Sequence, residues 1–184
     1  FLRYKRSLIF YLLLFFTIPV LAQLAPAAGV QGTTAIHKDS SIFVNWATGC
    51  TVVIGQEDIS NPLSVTASAG DSSMAIGSPG NGIVSLGDGG EAILSFERFI
   101  ENGPGWDFAI FENAFSDTFL ELGFVEVSSN GTDIFRFPTT SFTQESIQIG
   151  AFGALDPTHI NNLADKYRAN LGTPFDLEEL INKP

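Results

Sequence analysis

The sequence predicts an all-β protein built as an antiparallel β-sandwich, with one or two short helices. Short apolar segments recur between turn residues about every eight to twelve positions, which is typical of sandwiches and barrels. Residues 91–99 alternate, with Ala92, Leu94 and Phe96 on one side of a strand. Ser129–Thr132 predicts a hairpin, since its Asn-Gly pair accepts the positive φ of a type I′ turn.

The predicted strands follow one another along the chain and are divided by glycine-rich turns. They are expected at 51–55, 83–86, 91–99, 107–112, 122–128 and 133–137. The turns between them include Gly87–Gly90 and Asn102–Gly105. Residues 56–81 are rich in Ser, Gly, Asp, Pro and Ala, so we expect a long loop there.

Two helical segments are predicted near the end of the chain and one near its beginning. Asp156 is a candidate N-cap with Pro157 in the first helical position, and Gly172 is the stop. Helical spacing then places four apolar residues on one face: Ile160, Leu163, Ala164 and Tyr167. Asp176 is expected to cap a turn over 177–181. A short helix after Asp39 or Ser40 would carry Phe43, Trp46 and Ala47 on one face.

Residues 1–22 have the pattern of a secretory signal peptide. Arg3, Lys5 and Arg6 precede an apolar run from Leu8 to Leu21, and small residues stand before Gln23. The alternative is an anchor that stays in the membrane, but the run is short for a span. We therefore expect a secreted or cell-surface protein, with residues 23–184 as a single domain. A chain beginning at Phe1, and strands too few for a closed sandwich, predict that the gene product extends further at both ends.

The charge of the chain limits its partners. Removal of residues 1–22 takes away three of the nine basic residues and none of the twenty acidic ones, which changes the net charge from −11 to −14. Such a charge disfavours nucleic acid and anionic membrane as partners, so the membrane is expected only through the signal peptide. It is compatible with cation binding, and also with a surface that is acidic only for solubility.

The sequence lacks the residues that several classes of enzyme need for catalysis. There is no Gly-x-Ser-x-Gly motif, no phosphate-binding loop and no His/Cys cluster for zinc, and His37 and His159 are far apart. Cys50 is the single cysteine, so no internal disulfide forms, and its apolar neighbours predict a buried, unreactive thiol.

Carboxylates are the remaining chemistry. Six acidic or amide residues lie within about twenty positions: Asp107, Glu112, Asn113, Asp117, Glu121 and Glu126. Asp107 and Glu112 are five positions apart and so face opposite sides of a strand. Asp107 is predicted to fix the Gly-Pro-Gly turn.

A calcium site is predicted where this strand ends. Its expected ligands are Glu112, Asn113 and Asp117, because calcium accepts irregular sets of oxygen ligands. The alternative is that Glu112 pairs with Arg98 or Arg136, or accepts backbone amides, and only stiffens the loop.

Sugar chemistry gives two further hypotheses. Two carboxylates can flank a glycosidic bond in a glycan-active hydrolase, although nothing in the sequence fixes their separation. Trp46 and Trp106 are candidate ligand-binding residues on which sugars could stack, or they are packing residues.

Three segments together resemble a family of bacterial secreted cell-surface proteins. They are VSLGDGGEAILSF (84–96), NGPGWDFAIFEN (102–113) and FVEVSSNG (124–131), and 35–39, 46–49, 166–168 and 172–179 fit the same pattern. Members of that family often carry a C-terminal sorting signal of the PEP-CTERM or type IX secretion kind. This chain lacks that signal and two expected final strands, so the resemblance implies truncation at the C-terminus.

The order of strands and turns is also similar to galactose-binding-like jelly rolls. That resemblance concerns the fold and implies sugar binding and a structural calcium only by analogy. The expected function is a non-catalytic binding or adhesion module for a glycan or cell-surface polymer. The alternatives are a glycan-active hydrolase and a structural surface-layer component.

Overall fold

The protein consists mostly of small antiparallel sheets. The computed structural model describes residues 24–61, 63–147, 149–150 and 152–181, so the predicted signal peptide lies outside the described residues. Within them the strands are β1 (Ile36–His37), β2 (Gly49–Val53), β3 (Glu91–Ser95), β4 (Phe108–Ile110), β5 (Gly123–Phe124), β6 (Glu126–Val127), β7 (Phe135–Arg136), β8 (Thr140–Ser141), β9 (Ile160–Asn161), β10 (Leu163–Ala164) and β11 (Leu171–Phe175).

One sheet has three strands, in the order β1-β11-β4. Four pairs form the two-stranded sheets: β10 with β5, β2 with β3, β6 with β7, and β8 with β9. Helical structure in the described chain is confined to three 3₁₀ segments: Ser72–Ala75, Pro157–His159 and Leu177–Leu180. None of these helices is long and apolar enough to cross a membrane.

The strand predicted at 51–55 is present two residues earlier, at 49–53, and the strand predicted at 91–99 is shortened to 91–95. They form the β2–β3 pair, in which Gly49 lies opposite Ser95 and Val53 opposite Glu91. The predicted strand at 83–86 is wrong. Ser85 donates to the carbonyl of Ala69 and Leu86 accepts from Gly55, so these backbone bonds go to separate segments and form no ladder.

The predicted hairpin is confirmed, but its turn type is wrong. Glu126 lies opposite Arg136 in β6 and β7. In the connection Gly131 has φ 72°, while Asn130 is not among the described residues with positive φ, and a type I′ turn needs both. The side chain of Asn130 instead organises the loop, because its Oδ1 accepts the N–H groups of Thr132 and Asp133 at 2.8 Å each.

The helix predicted after Asp156 is also wrong beyond its first turn. Asp156 does cap the 3₁₀ segment, accepting from the Thr158 N–H at 2.8 Å, but the backbone becomes extended at Ile160. Asn162 and Asp165 then have φ of 52° and 63°, in the left-handed region, which interrupts any right-handed helix. The chain therefore forms β9 and β10 instead.

The other two helix predictions have different outcomes. Asp176 caps Leu177–Leu180 as expected, accepting from the Glu178 N–H at 2.9 Å. The helix expected after Asp39 is absent from residues 40–47, which form a turn and irregular chain. Its aromatic residues pack on Phe111 instead, with ring centroids 5.4 Å away for Phe43 and 5.6 Å away for Trp46.

Two apolar clusters form the core of the described chain. The first consists of Ala114, Leu120, Ile160 and Leu163. The second consists of Val125, Phe137 and Phe175, with Phe108 stacked on Phe175 at 5.3 Å between ring centroids. Ala114 and Leu120 of the first cluster belong to the connection between β4 and β5, which also carries Glu112, Asp117 and Glu121.

Candidate functional site

Three carboxylates come together where β4, β5 and β10 begin or end. Glu112 follows β4, Glu121 precedes β5, and Asp165 follows β10. Pairing of Ala164 with Gly123 brings the last two segments side by side. One carboxylate oxygen from each residue lies within 4.8 Å of the others. We call these three residues the carboxylate cluster.

Asp165 is the buried member of the carboxylate cluster, with only 2% of its surface exposed. Its Oδ2 accepts a hydrogen bond from the backbone N–H of Glu121. Its Oδ1 and the Oε2 of Glu112 are both buried and have no hydrogen-bond partner in the described chain. Two such oxygens in one place are costly unless a proton or a cation satisfies them.

The electrostatics of the carboxylate cluster favour binding of positive charge. Burial is the main cause that raises the pKa of Asp165 to about 10. A hydrogen bond to the Glu112 side chain, which forms when one of the two carboxyl groups is protonated, and the charges of Glu112 and Glu121 act in the same direction, against a lowering by the Glu121 N–H. Burial, followed by the charge of Glu112, also raises the pKa of Glu121. Both shifts have the same cause, since acidic groups held close together in a partly desolvated place resist simultaneous ionisation.

The neighbouring lysine is directed to a backbone group. Lys166 is 3% exposed, and its Nζ donates to the carbonyl of Ile160 at 2.6 Å. Burial lowers the pKa of Lys166 to about 8. This ammonium therefore has an acceptor outside the carboxylate cluster.

The structure brings together only part of the calcium site predicted from the sequence. Glu112 belongs to the carboxylate cluster, and Asn113 follows it in a half-buried position. Asp117 instead forms an ion pair with Arg168. The pairing suggested between Glu112 and Arg98 or Arg136 does not occur among the described ion pairs, and Arg136 binds Glu126 at 2.7 Å. Asp165 was not singled out from the sequence. A usable signal was its position among Ile160, Leu163 and Tyr167, whose spacing predicts a buried face.

The prediction for Asp107 is confirmed. Its Oδ1 accepts the N–H of Gly103 at 2.7 Å, which fixes the Gly-Pro-Gly turn, and its Oδ2 accepts the N–H of Leu177 at 2.7 Å. Asp107 and Glu112 therefore have separate partners, as their five-residue spacing indicates.

Residues 113–120, which we call the aromatic loop, are held at both ends by buried apolar side chains. Ala114 is 1% exposed and Leu120 is 6% exposed. The loop also accepts two backbone hydrogen bonds, from Ala169 to the Ala114 carbonyl at 2.9 Å and from Leu155 to the Thr118 carbonyl at 2.8 Å. The loop is thus fixed to two other segments of the chain.

Two aromatic rings of this loop form an exposed row with Phe152, which lies outside the loop. Phe115 stacks on Phe119 with ring centroids 5.4 Å apart, and Phe119 stacks on Phe152 at 6.0 Å. The outer rings are 78% exposed for Phe115 and 89% exposed for Phe152. We call these three rings the aromatic stack. Rings held in register with open faces form a preorganised apolar platform.

The tryptophans singled out in the sequence lie elsewhere. Trp46 is half-buried against Phe43 and Phe111, and Trp106 is 50% exposed beside the Gly-Pro-Gly turn. Trp106 thus retains an accessible ring, whereas packing covers part of Trp46. Cys50, predicted to be buried, is partly exposed, and burial raises the pKa of its thiol.

Comparisons with protein-family models, with curated proteins and with solved structures gave no match.

Proposed function

We propose that this chain is a non-catalytic binding module of a secreted or cell-surface protein, built as a jelly-roll-like β-sandwich, and that its ligand is a glycan or glycan-bearing surface polymer. The observation that carries the proposal is the aromatic stack. Sugars present flat C–H faces that pack on open aromatic rings, and Phe115 and Phe152 offer such faces. Export is supported by the pattern of residues 1–22.

The acidic character of the chain narrows the ligand class. A formal net charge of −11 repels polyanions at long range, so a neutral or cationic glycan is favoured over a sulfated or phosphorylated one. The aromatic stack itself is uncharged. Its affinity therefore depends little on salt, in contrast to recognition by ion pairs.

The carboxylate cluster is a poor candidate for the acid pair of a hydrolase. A general acid or nucleophile must contact the scissile bond, and Asp165 has only 2% of its surface exposed. This supports a binding role over the glycan-active alternative.

Binding to a glycan array tests the proposal. The wild-type chain is expected to bind at least one neutral or cationic glycan, and Phe115→Ala and Phe152→Ala are each expected to weaken that binding at least about tenfold, equivalent to ~1.4 kcal/mol. Phe99→Ala is the matched control, because Phe99 is 80% exposed and lies outside the aromatic stack. It should bind like the wild type.

Three outcomes would contradict the proposal. Release of reducing sugar from a bound glycan would show a hydrolase. No binding to any glycan, from a chain shown to be folded by circular dichroism, would favour a structural surface component. Equal losses for all three phenylalanine variants would show that the aromatic stack is not the binding surface.

A further inference from the structure

We infer that Glu112, Glu121 and Asp165 hold one calcium ion, and that this ion fastens both ends of the aromatic loop. The link between the ion and glycan binding rests on the proposed function. The cation site itself does not, because it follows from the carboxylate cluster alone.

The spacing of the donors fits a single ion. Calcium binds oxygen at about 2.3–2.6 Å, so two ligand oxygens on opposite sides of the ion lie up to about 4.6–5.2 Å apart. The three carboxylate oxygens of the cluster all lie within 4.8 Å of one another. One ion can therefore contact all three, and water can complete the six to eight ligands that calcium takes.

The buried oxygens supply independent support. Only 2% of the surface of Asp165 is exposed. Its Oδ1 accepts no hydrogen bond from the described chain. Glu112 Oε2 is also buried and likewise accepts no hydrogen bond from the described chain. A cation between them would give each a ligand contact and offset their mutual repulsion, which a surface cluster of acids would not require.

The position of the cluster links the cation to the aromatic stack. Glu112 immediately precedes the aromatic loop and Glu121 immediately follows it, while Asp165 directly follows β10. Asp165 already binds the backbone of Glu121. An ion bound to all three would close the base of the loop on which Phe115 and Phe119 are carried.

The alternative is a proton shared by Glu112 and Asp165, with no role for a metal. The two hypotheses differ in whether the chain binds calcium. A shared proton leaves the chain indifferent to calcium, whereas a cation site gives saturable binding of one ion per chain.

Calorimetric titration of the chelator-treated chain with calcium chloride is the direct test. We expect one saturable site, and a melting temperature that rises with calcium concentration. Asp165→Asn and Glu121→Gln should each weaken calcium binding at least about tenfold, because the charge of the ligand set controls affinity. Glu121 is exposed, so its variant folds even if Asp165→Asn does not.

Two controls define the donor set. Glu101→Gln removes one charge from an exposed glutamate outside the cluster and should leave calcium affinity within about twofold. Asp117→Asn removes the ligand predicted from the sequence alone and should also retain binding, since Asp117 is paired with Arg168. Loss of binding in Asp117→Asn would overturn the donor set assigned here, as would full binding in both Asp165→Asn and Glu121→Gln.

The cation and glycan results can fail separately. Absence of saturable calcium binding by the folded wild type would overturn the cation site, whatever the glycan array shows. Calcium binding without any glycan binding would leave the cation site standing and reject the proposed function. If glycan affinity is the same in calcium and in chelator, the coupling between the ion and the aromatic loop is rejected.

Discussion

Asp107 joins Leu177, seventy positions further along the chain, through a hydrogen bond of 2.7 Å from the Leu177 N–H to Oδ2. The other carboxylate oxygen accepts from Gly103 at 2.7 Å. One side chain thus fixes both the turn before β4 and the start of the last 3₁₀ segment.

We expect Asp107→Ala to destabilise the protein by about 2–4 kcal/mol, because it leaves two backbone donors without this acceptor. Asp107→Asn should cost less, about 1–2 kcal/mol, since the amide keeps one accepting oxygen. Urea denaturation measures both. Glu101→Gln, at an exposed acid, should change stability by less than about 0.5 kcal/mol. Equal stability of Asp107→Ala and the wild type would show that neither bond contributes.

Phe175 is the most enclosed ring of the second core cluster. It is 0% exposed and contacts Phe137 at 5.0 Å and Phe108 at 5.3 Å between ring centroids. Phe175→Ala is expected to lower the free energy of unfolding by about 3–5 kcal/mol, because it leaves a cavity among these rings. Phe99→Ala, at a ring that is 80% exposed, should cost less than about 0.5 kcal/mol in the same denaturation series. Similar losses for the two variants would contradict the assigned core.

Gly172 lies in β11, where the backbone comes close to β4 and to the residue that follows it. A Cβ there would lie 2.8 Å from Phe111 Cζ and 3.0 Å from Ala109 Cβ. Gly172→Ala should therefore destabilise the protein by about 1–3 kcal/mol through overpacking. Gly150→Ala is the matched control, because nothing lies within 4 Å of its Cβ position and its φ is not positive. A thermal melt in which both variants behave alike would contradict the close approach at β11.

Asp156 gives a prediction that depends on pH. Its side chain accepts from the hydroxyl and the N–H of Thr158, and these bonds lower the pKa of Asp156. The folded state thus binds this proton less readily than the unfolded state, so the stabilisation is present above the ordinary carboxyl pKa and is lost as the pH falls through the lowered value.

Asp156→Ala is expected to cost about 1 kcal/mol at neutral pH, the usual magnitude for a cap. The difference from the wild type should shrink as the pH falls below about 4, where the carboxylate of the wild type becomes protonated. Glu101→Ala, at an exposed acid outside any cap, is the comparison and should show no such dependence on pH. A wild-type advantage that grows in acid would reverse the sign and reject the cap.

Asp165→Asn should reverse its effect with calcium. In chelator we expect the variant to melt at least about 2 °C above the wild type. Burial and the charge of Glu112 raise the pKa of Asp165, so the wild type must protonate this carboxyl when it folds at neutral pH, whereas an amide needs no proton. A gain of ~1 kcal/mol shifts a domain of this size by that amount. In saturating calcium the wild type should melt higher, since only it binds the ion fully. The same order of melting temperatures in both conditions would contradict a role for repulsion in the cluster.

The sequence predicts burial in 156–171 better than it predicts conformation. Ile160, Leu163 and Tyr167 are 0%, 7% and 1% exposed, so three of the four residues of the predicted face are buried, while Ala164 is half-buried. The same spacing is met by two short strands once Asn162 and Asp165 adopt left-handed φ. Asn and Asp enter that region more readily than other side chains, and no periodicity reveals whether they do.

The candidate site was predictable only where its contacts are local. Asp107 reaches Gly103 four positions away, and the spacing of Asp107 and Glu112 on a strand was enough to separate their roles. Asp165 lies far along the chain from Glu112, and only the pairing of β5 with β10 brings it close. The ion pair of Asp117 with Arg168 also joins residues that are far apart in the chain. The ligands predicted from residues close in sequence, Glu112, Asn113 and Asp117, therefore differ from the carboxylate cluster that the fold brings together.

The order of the three-stranded sheet has a consequence for synthesis. β11 lies between β1 and β4, and Ile36 lies opposite Gly172. The earliest strand of this sheet therefore has no partner until translation has passed Phe175, and closing so long a loop is slow. A chain that lacks β11 would leave β1 and β4 of this sheet without the strand that joins them, and unpaired strand edges favour pairing with other chains.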